Sequence, residues 1–128
     1  MPNRQKRKAE EKRSRAAQPV AVSPVLRMSG TKVRRVIDVI RGLPVETALS
    51  ALDFLPHRSA PLVRKLIAEA AANAVENCGL DEDLVVQTIH VDEGFTIPRI
   101  RPRAQGRAYR IRRRTCRLTV VVAERSEE

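Results

Sequence analysis

The chain has 128 residues, 42% of them hydrophobic, and a formal net charge of +10; that is enough for one small domain with a single modest core. No apolar run approaches the roughly 20 residues that span a bilayer, and the N-terminal stretch lacks the apolar core of a secretory signal. Glu10 and Glu11, with no amphipathic apolar stripe around them, argue against a transit peptide, so the protein is expected in the cytoplasm, away from membranes.

The charge is divided unevenly along the chain. Residues 1–18 hold seven Lys/Arg against Glu10 and Glu11, a net +5. They contain no aromatic, no β-branched residue and no leucine, so burial cannot offset the entropy of ordering them. A disordered basic tail is expected there, suited to RNA contact. VAVSPVLRM (20–28) reads as a strand, which Pro24 confines to a sheet edge or a break. Ser29 is a candidate N-cap for a helix whose apolar positions Val33, Val36, Ile37 and Ile40 follow the 3.6-residue period. Gly42 fits the left-handed stop after it. The other face of this helix displays Lys32, Arg34, Arg35 and Arg41, candidates for RNA contact.

Pro44 and Glu46 fit the first turn of a second helix, which buries Ala48, Leu49, Leu52 and Leu55 and ends at Pro56. Ser59 caps a third, with Pro61 tolerated in its first turn. Its apolar face runs through Val63, Leu66, Ile67, Ala70, Ala74 and Val75 to Cys78, and Gly79 stops it. The alanine-rich stretch 68–74 leaves little bulk, so another element can approach closely. LDED (80–83) then turns into VVQTIHV, a β-branched strand. Near the end, CRLTVVVAE alternates Cys116, Leu118, Val120 and Val122 against Arg117, Thr119 and Val121, a strand with one buried face.

Between those strands lies Ile97–Arg117, IPRIRPRAQGRAYRIRRRTCR, with nine arginines and not one acidic residue. Everything outside this stretch and the tail carries nine basic and thirteen acidic groups, a net −4. The surplus positive charge therefore sits on two extensions of a mildly acidic body. Pro98, Pro102 and Gly106 lie between the strands, and Gly106 permits the positive dihedral that a tip requires. The expected fold is α+β: three helices packed on a three-stranded antiparallel sheet, with a long arginine-rich β-hairpin arm. Residues 19–128 form the single domain, with the arm at 94–114, and 1–18 form the tail.

Such an arm has only Ile97, Ile100, Tyr109 and Ile111 to bury against nine like charges. A two-stranded ribbon of that kind is marginal in water, so it needs a polyanion to lie against. Arginine throughout, never lysine, favours forked contacts to phosphate and stacking on bases. Arg99, Arg101, Arg103, Arg107, Arg110, Arg112, Arg113, Arg114 and Arg117 are the RNA-binding candidates, and Tyr109 is a candidate for stacking. The other aromatics are Phe54, expected in the core, and Phe95, expected to pin the base of the arm. So few aromatics make recognition by shape and phosphate the expected mode, not base-stacking on a sheet.

Catalysis has no foothold in the sequence. Asp81, Glu82, Asp83, Asp92 and Glu93 have no histidine or nucleophile set beside them, and no glycine-rich phosphate loop lies nearby. Cys78, Cys116, His57 and His90 lack metal-ligand spacing, and the cysteines read as structural. No enzyme, metal or cofactor is expected. A DNA-bending protein with a β-ribbon arm is the nearest rival, but it needs a dimer and hence a spare apolar stripe. None exists beyond the single core. A cationic membrane-active protein wants tryptophan at its apolar face, and the chain has none.

The strings RMSGTKVRRVIDVIRG (27–42), AEAAANAVENCG (68–79), VDEG (91–94) and PRAQGRAYRIRRRTCRLTVVVAER (102–125) resemble the family of bacterial large-ribosomal-subunit protein number twenty-two. The resemblance runs almost continuously from Val20 to Arg125, and the basic tail departs from the compact family form. It implies a non-enzymatic constituent of the large subunit, a monomer within the ribosome, whose body contacts large-subunit ribosomal RNA of several domains. It also implies that the hairpin reaches inward beside the ribosomal protein numbered four and lines the exit tunnel for the nascent polypeptide. Ile100, Pro102, Ala104, Gly106 and Ala108 would be the tunnel-facing tip, small or rigid residues that present few adhesive groups. Early subunit assembly and an altered macrolide response when the tip changes are further implications of the resemblance.

Overall fold

Apolar residues at helical spacing between 30 and 78, and alternating ones near 84–91 and 116–122, supply two complementary greasy surfaces that fold against each other. The computed structural model describes residues 3–16 and 19–125. In chain order it contains helix α1 (Arg4–Ala16), strand β1 (Val20–Val22), helices α2 (Gly30–Ile40), α3 (Val45–Phe54) and α4 (Ala60–Cys78), then strands β2 (Leu84–Pro102) and β3 (Ala108–Glu124). The strands form one antiparallel sheet in the order β1-β3-β2. This is the expected α+β arrangement of α2, α3 and α4 on a three-stranded sheet.

The helices bury the stripes that their spacing requires. Val33, Val36, Ile37 and Ile40 of α2, and Val63, Ile67, Ala70 and Ala74 of α4, are fully buried. They meet Val86, Ile89, Leu118 and Val120 of the sheet in one core. Each large aliphatic side chain there contributes about 1.5–3 kcal/mol over an exposed one. The alanines of α4 let it lie against α3, β1 and β3. Gly42 and Gly79 both adopt positive φ just beyond their helices, and the Leu80 N–H donates to the Ala74 carbonyl.

As the last strand on its side, β2 has an outer edge that needs partners, since unpaired strand edges invite foreign strands. The Val86 N–H donates to the Leu43 carbonyl at 3.0 Å. The Arg41 guanidinium donates to the Ile89 carbonyl at 2.7 Å, and Arg34 to the Val91 carbonyl at 3.1 Å. Arg34 of α2 and Arg41 just past its end thus cap the sheet edge.

Several details differ from the sequence expectation. The strand expected over 20–28 stops at Val22. Ser23 still bonds Leu118 of β3, but Pro24 cannot donate to a ladder, and the chain then rejoins β3 at a bridge from Leu26 to Cys116. The tail expected to lack structure is helical over Arg4–Ala16, because Arg, Lys, Glu, Gln and Ala are strong helix formers. The burial argument holds where side chains are described, since residues 3–10 are all exposed. Phe54 is 88% exposed rather than in the core. It lies two residues, about 200° of helix, from buried Leu52, so it points away from the stripe. Val75 is also exposed, one position past the Ala70–Ala74 line.

Candidate nucleic-acid interface

Beyond the body, β2 and β3 continue as a two-stranded ribbon, paired from Thr96↔Arg114 to Pro102↔Ala108. From Gly94 to the tip it extends roughly 30 Å at about 3.3 Å per residue. A single 3-10 turn, Ala104–Gly106, closes it, with Gln105 and Gly106 both at positive φ and the Arg103 N–H donating to the Arg107 carbonyl at 2.8 Å. Gly106 fills the role expected of it; positive φ at Gln105 was not foreseen. Of residues 97–111, only Ile97 and Ile111 are partly covered. The ribbon has no core of its own.

The root of the arm is a bulge, where the register shifts between Glu93 and Thr96. Gly94 sits in it because nothing larger fits: a Cβ there would stand 2.6 Å from Thr115 Oγ1. Thr115 is buried and its hydroxyl donates to the Phe95 carbonyl across the bulge. Phe95 itself is 62% exposed. Its backbone, not its ring, ties the base, because the bulge turns the side chain outward.

Pairing along the ribbon keeps arginines apart up to the turn, where Arg103 faces Arg107. Arg99 stands opposite Ile111, Arg101 opposite Tyr109, Arg110 opposite Ile100, Arg112 opposite Pro98, Arg113 opposite Ile97 and Arg114 opposite Thr96. Directly opposed like charges destabilise a sheet, and a slip of one residue sets Arg99 against Arg110 or Arg112. Register is therefore written into the order of charged and uncharged residues. Because paired residues share a face, Arg99, Arg101, Tyr109, Ile111 and Arg113 line one side. Pro98, Ile100, Pro102, Ala108, Arg110 and Arg112 line the other. The tip residues Ile100, Pro102 and Ala108 thus fall together, while Ala104 and Gly106 form the turn.

Where the arm leaves the body, a groove of about 880 Å³ opens between α2, the loop between α3 and α4, and the ribbon. Eight basic residues line it, Arg27, Lys32, Arg35, Arg58, Arg99, Arg112, Arg113 and Arg114, and no acidic one. Lys32, Arg35 and four arginines of the arm, picked out separately in the sequence, are brought together here. Arg27, Arg58 and His57 were missed, because they are ordinary loop residues until the fold sets them beside the arm. Farther out, Arg101, Arg103, Arg107, Tyr109 and Arg110 gather around a shallower hollow at the tip.

Other candidates stand apart from the groove. Arg34 and Arg41 are committed to the sheet edge, Arg41 also pairing with Asp38 at 3.2 Å. Arg117 is exposed on the body, cross-strand from Asp92. Among the described residues no arginine of the arm makes an ion pair; the pairs found are Arg41–Asp38, Arg64–Asp53 and His90–Asp92. The described residues hold no cluster of His, Cys, Asp and Glu able to bind a metal, and no helix long and apolar enough to cross a membrane. Cys116 is a buried strand residue. Burial pushes its thiol above the ordinary value, and the nearby Arg34 charge offsets part of that rise.

Comparison with known proteins agrees with this arrangement. A family model described as Ribosomal protein L22p/L17e matches residues 21–123. The Large ribosomal subunit protein uL22 of Trichodesmium erythraeum (strain IMS101) is 51% identical over 104 residues, which cover 80% of this chain and 87% of that protein. The family match takes in the sheet, the three packed helices and both limbs of the arm, and leaves out the basic tail. On that extent of likeness, the chain belongs to the L22p/L17e family of ribosomal proteins.

Proposed function

We propose that this structural constituent of the large ribosomal subunit binds large-subunit ribosomal RNA through its arm and the basic groove at the arm's root. The observation that carries this reading is a 30 Å ribbon, roughly nine residues per limb, whose exposed arginines meet no carboxylate among the described residues. A bare rod of that charge repels itself and has nothing to bury. Packed among phosphates it becomes an asset, since it offsets the repulsion between RNA segments from different domains and releases their counterions. RNA, in this reading, gives the arm its rigidity. Arg99, Arg101, Arg103, Arg107, Arg110 and Arg112–Arg114 hold phosphates, Lys32 and Arg35 extend the contact onto the body, and Tyr109 stacks on a base.

The same reading places the tip in the wall of the nascent-peptide tunnel, beside the ribosomal protein numbered four. Ile100, Pro102 and Ala108, together at the end of one face, give a passing polypeptide little to grip beyond the Arg110 guanidinium opposite Ile100. A protein that joins several RNA domains also belongs early in subunit assembly. Its place of action is the translating cytoplasm, and its work is binding rather than catalysis.

Crosslinking in growing cells followed by sequencing of the bound RNA tests this directly. Large-subunit ribosomal RNA should dominate the recovered sequences. In a parallel titration, affinity for that RNA should fall with log salt at a slope of about −0.7 to −0.9 per phosphate neutralised. Random duplex DNA bound equally well, or a slope near zero, would refute the reading.

A further inference from the structure

Two helices begin at the groove beside the arm. Ser29 immediately precedes α2 and Ser59 immediately precedes α4, and both line the groove. Each helix start carries roughly half a positive charge, which adds to the eight basic side chains already there. Neither serine makes a side-chain capping bond.

Ser59 supplies the second, independent observation. The residue is only 4% exposed, yet its hydroxyl has no hydrogen-bond partner among the described residues. No side-chain oxygen or nitrogen of those residues is sealed away without a partner. The Ser59 Oγ therefore keeps access to solvent, and the residue lines the groove. Backbone donors are scarce at this helix start, since the Ala60 N–H is already bonded to the His57 carbonyl and Pro61 has none. Ser59 consequently presents a hydroxyl, backed by a helix dipole, to whatever fills the space.

A straight RNA strand spaces its phosphates along the arm and does not call for this concentration of charge. Two phosphates crowded together by a sharp turn do. We propose that the groove is a phosphate seat that takes the crowded phosphates of a sharply turned RNA strand and anchors the root of the arm. Arg35 and Arg58 grip from opposite walls, and Ser59 donates to a phosphate oxygen. The proposal rests on the RNA-binding reading above and names the element that one part of the surface receives.

Inorganic pyrophosphate offers the same chemistry without RNA, so the full-length protein is titrated with both. In amide NMR spectra, pyrophosphate should shift Ser29 and Ser59 while leaving residues 103–107 in place. Ser59→Ala should weaken pyrophosphate roughly tenfold, the effect of one hydrogen bond to a charged group. Arg35→Ala/Arg58→Ala, both exposed positions, should weaken large-subunit ribosomal RNA and reduce the salt slope by about 1.4–1.8. Arg103→Ala/Arg107→Ala should leave pyrophosphate binding unchanged. The proposal is overturned if pyrophosphate shifts the tip as strongly as the groove, or shifts neither. It is also overturned if pyrophosphate occupies the groove but Arg35→Ala/Arg58→Ala binds RNA as the wild type does, since the seat then serves a free anion. That last result leaves RNA binding by the arm intact, whereas wild-type protein with no salt-dependent RNA affinity would remove the wider reading as well.

Discussion

Replacing Gly94 with alanine probes how the arm is aimed. The added Cβ would lie 2.6 Å from Thr115 Oγ1, and 3.5 Å from the Thr115 carbonyl carbon and Cβ. Only the first contact is too close. Thr115 cannot simply turn away, because it is 2% exposed and its hydroxyl is bonded to the Phe95 carbonyl. Either the bulge gives way, at the cost of about 1–3 kcal/mol typical of overpacking, or the buried hydrogen bond breaks at about 1–3 kcal/mol. These are alternative routes to relief, so the expected loss is about 2 kcal/mol rather than their sum. Thr115→Ala removes Oγ1 and leaves only ordinary contacts at 3.5 Å. Adding Gly94→Ala to that background should then cost no more than about 0.5 kcal/mol, a coupling of about 1.5 kcal/mol between the two sites. Urea denaturation of the four proteins gives the cycle. The reasoning fails if Gly94→Ala alone costs under about 0.5 kcal/mol, or if its cost is undiminished when Thr115 is alanine.

Three further outcomes are expected. Arg112→Ala/Arg113→Ala/Arg114→Ala should weaken RNA binding and lower the salt slope by about 2.1–2.7, with thermal unfolding of the body nearly unchanged; a collapse in melting temperature would show that these exposed residues support the core. Arg41→Ala removes the donor to the Ile89 carbonyl and should cost about 1 kcal/mol, with faster amide exchange along β2; unchanged stability and exchange would mean that water replaces the guanidinium without loss. Backbone order parameters across 97–112 should fall below about 0.6 in the RNA-free protein and rise on binding RNA; a free arm as rigid as the body would contradict the view that phosphates hold it.

Helices α2, α3 and α4 were legible because two signals coincide at their ends. Apolar residues at the 3.6 period stop where Gly42, Pro56 or Gly79 makes continuation unfavourable. The arm was legible for the opposite reason, since an acid-free run of arginines between two β-branched stretches has no interior to occupy. What lay hidden depends on proximity in space. Arg58 is unremarked in a loop, and Ser59 reads only as a helix cap, until α4 is laid beside the sheet. The donation of Arg34 and Arg41 to β2 requires knowing that β2 is an edge. Gly94 carries no sign of a bulge without Thr115 across from it. Phe54 misled because its apolar bulk outweighed its angular position, which lies opposite Leu52. The helix at Arg4–Ala16 shows local propensity acting where burial was the criterion applied.

The alternating order of charge along the ribbon also limits how the protein can be lengthened. One residue added to a single limb exchanges its two faces and sets Arg99 against Arg110 or Arg112. One residue added to each limb keeps every facing neighbour but turns the far part over, whereas two added to each limb keep both neighbours and faces. The span between anchored root and far end therefore changes in increments of two residues, about 7 Å each. The hairpin behaves as a spacer of discrete sizes, and a designer who wants a slightly longer or shorter one must take a whole step.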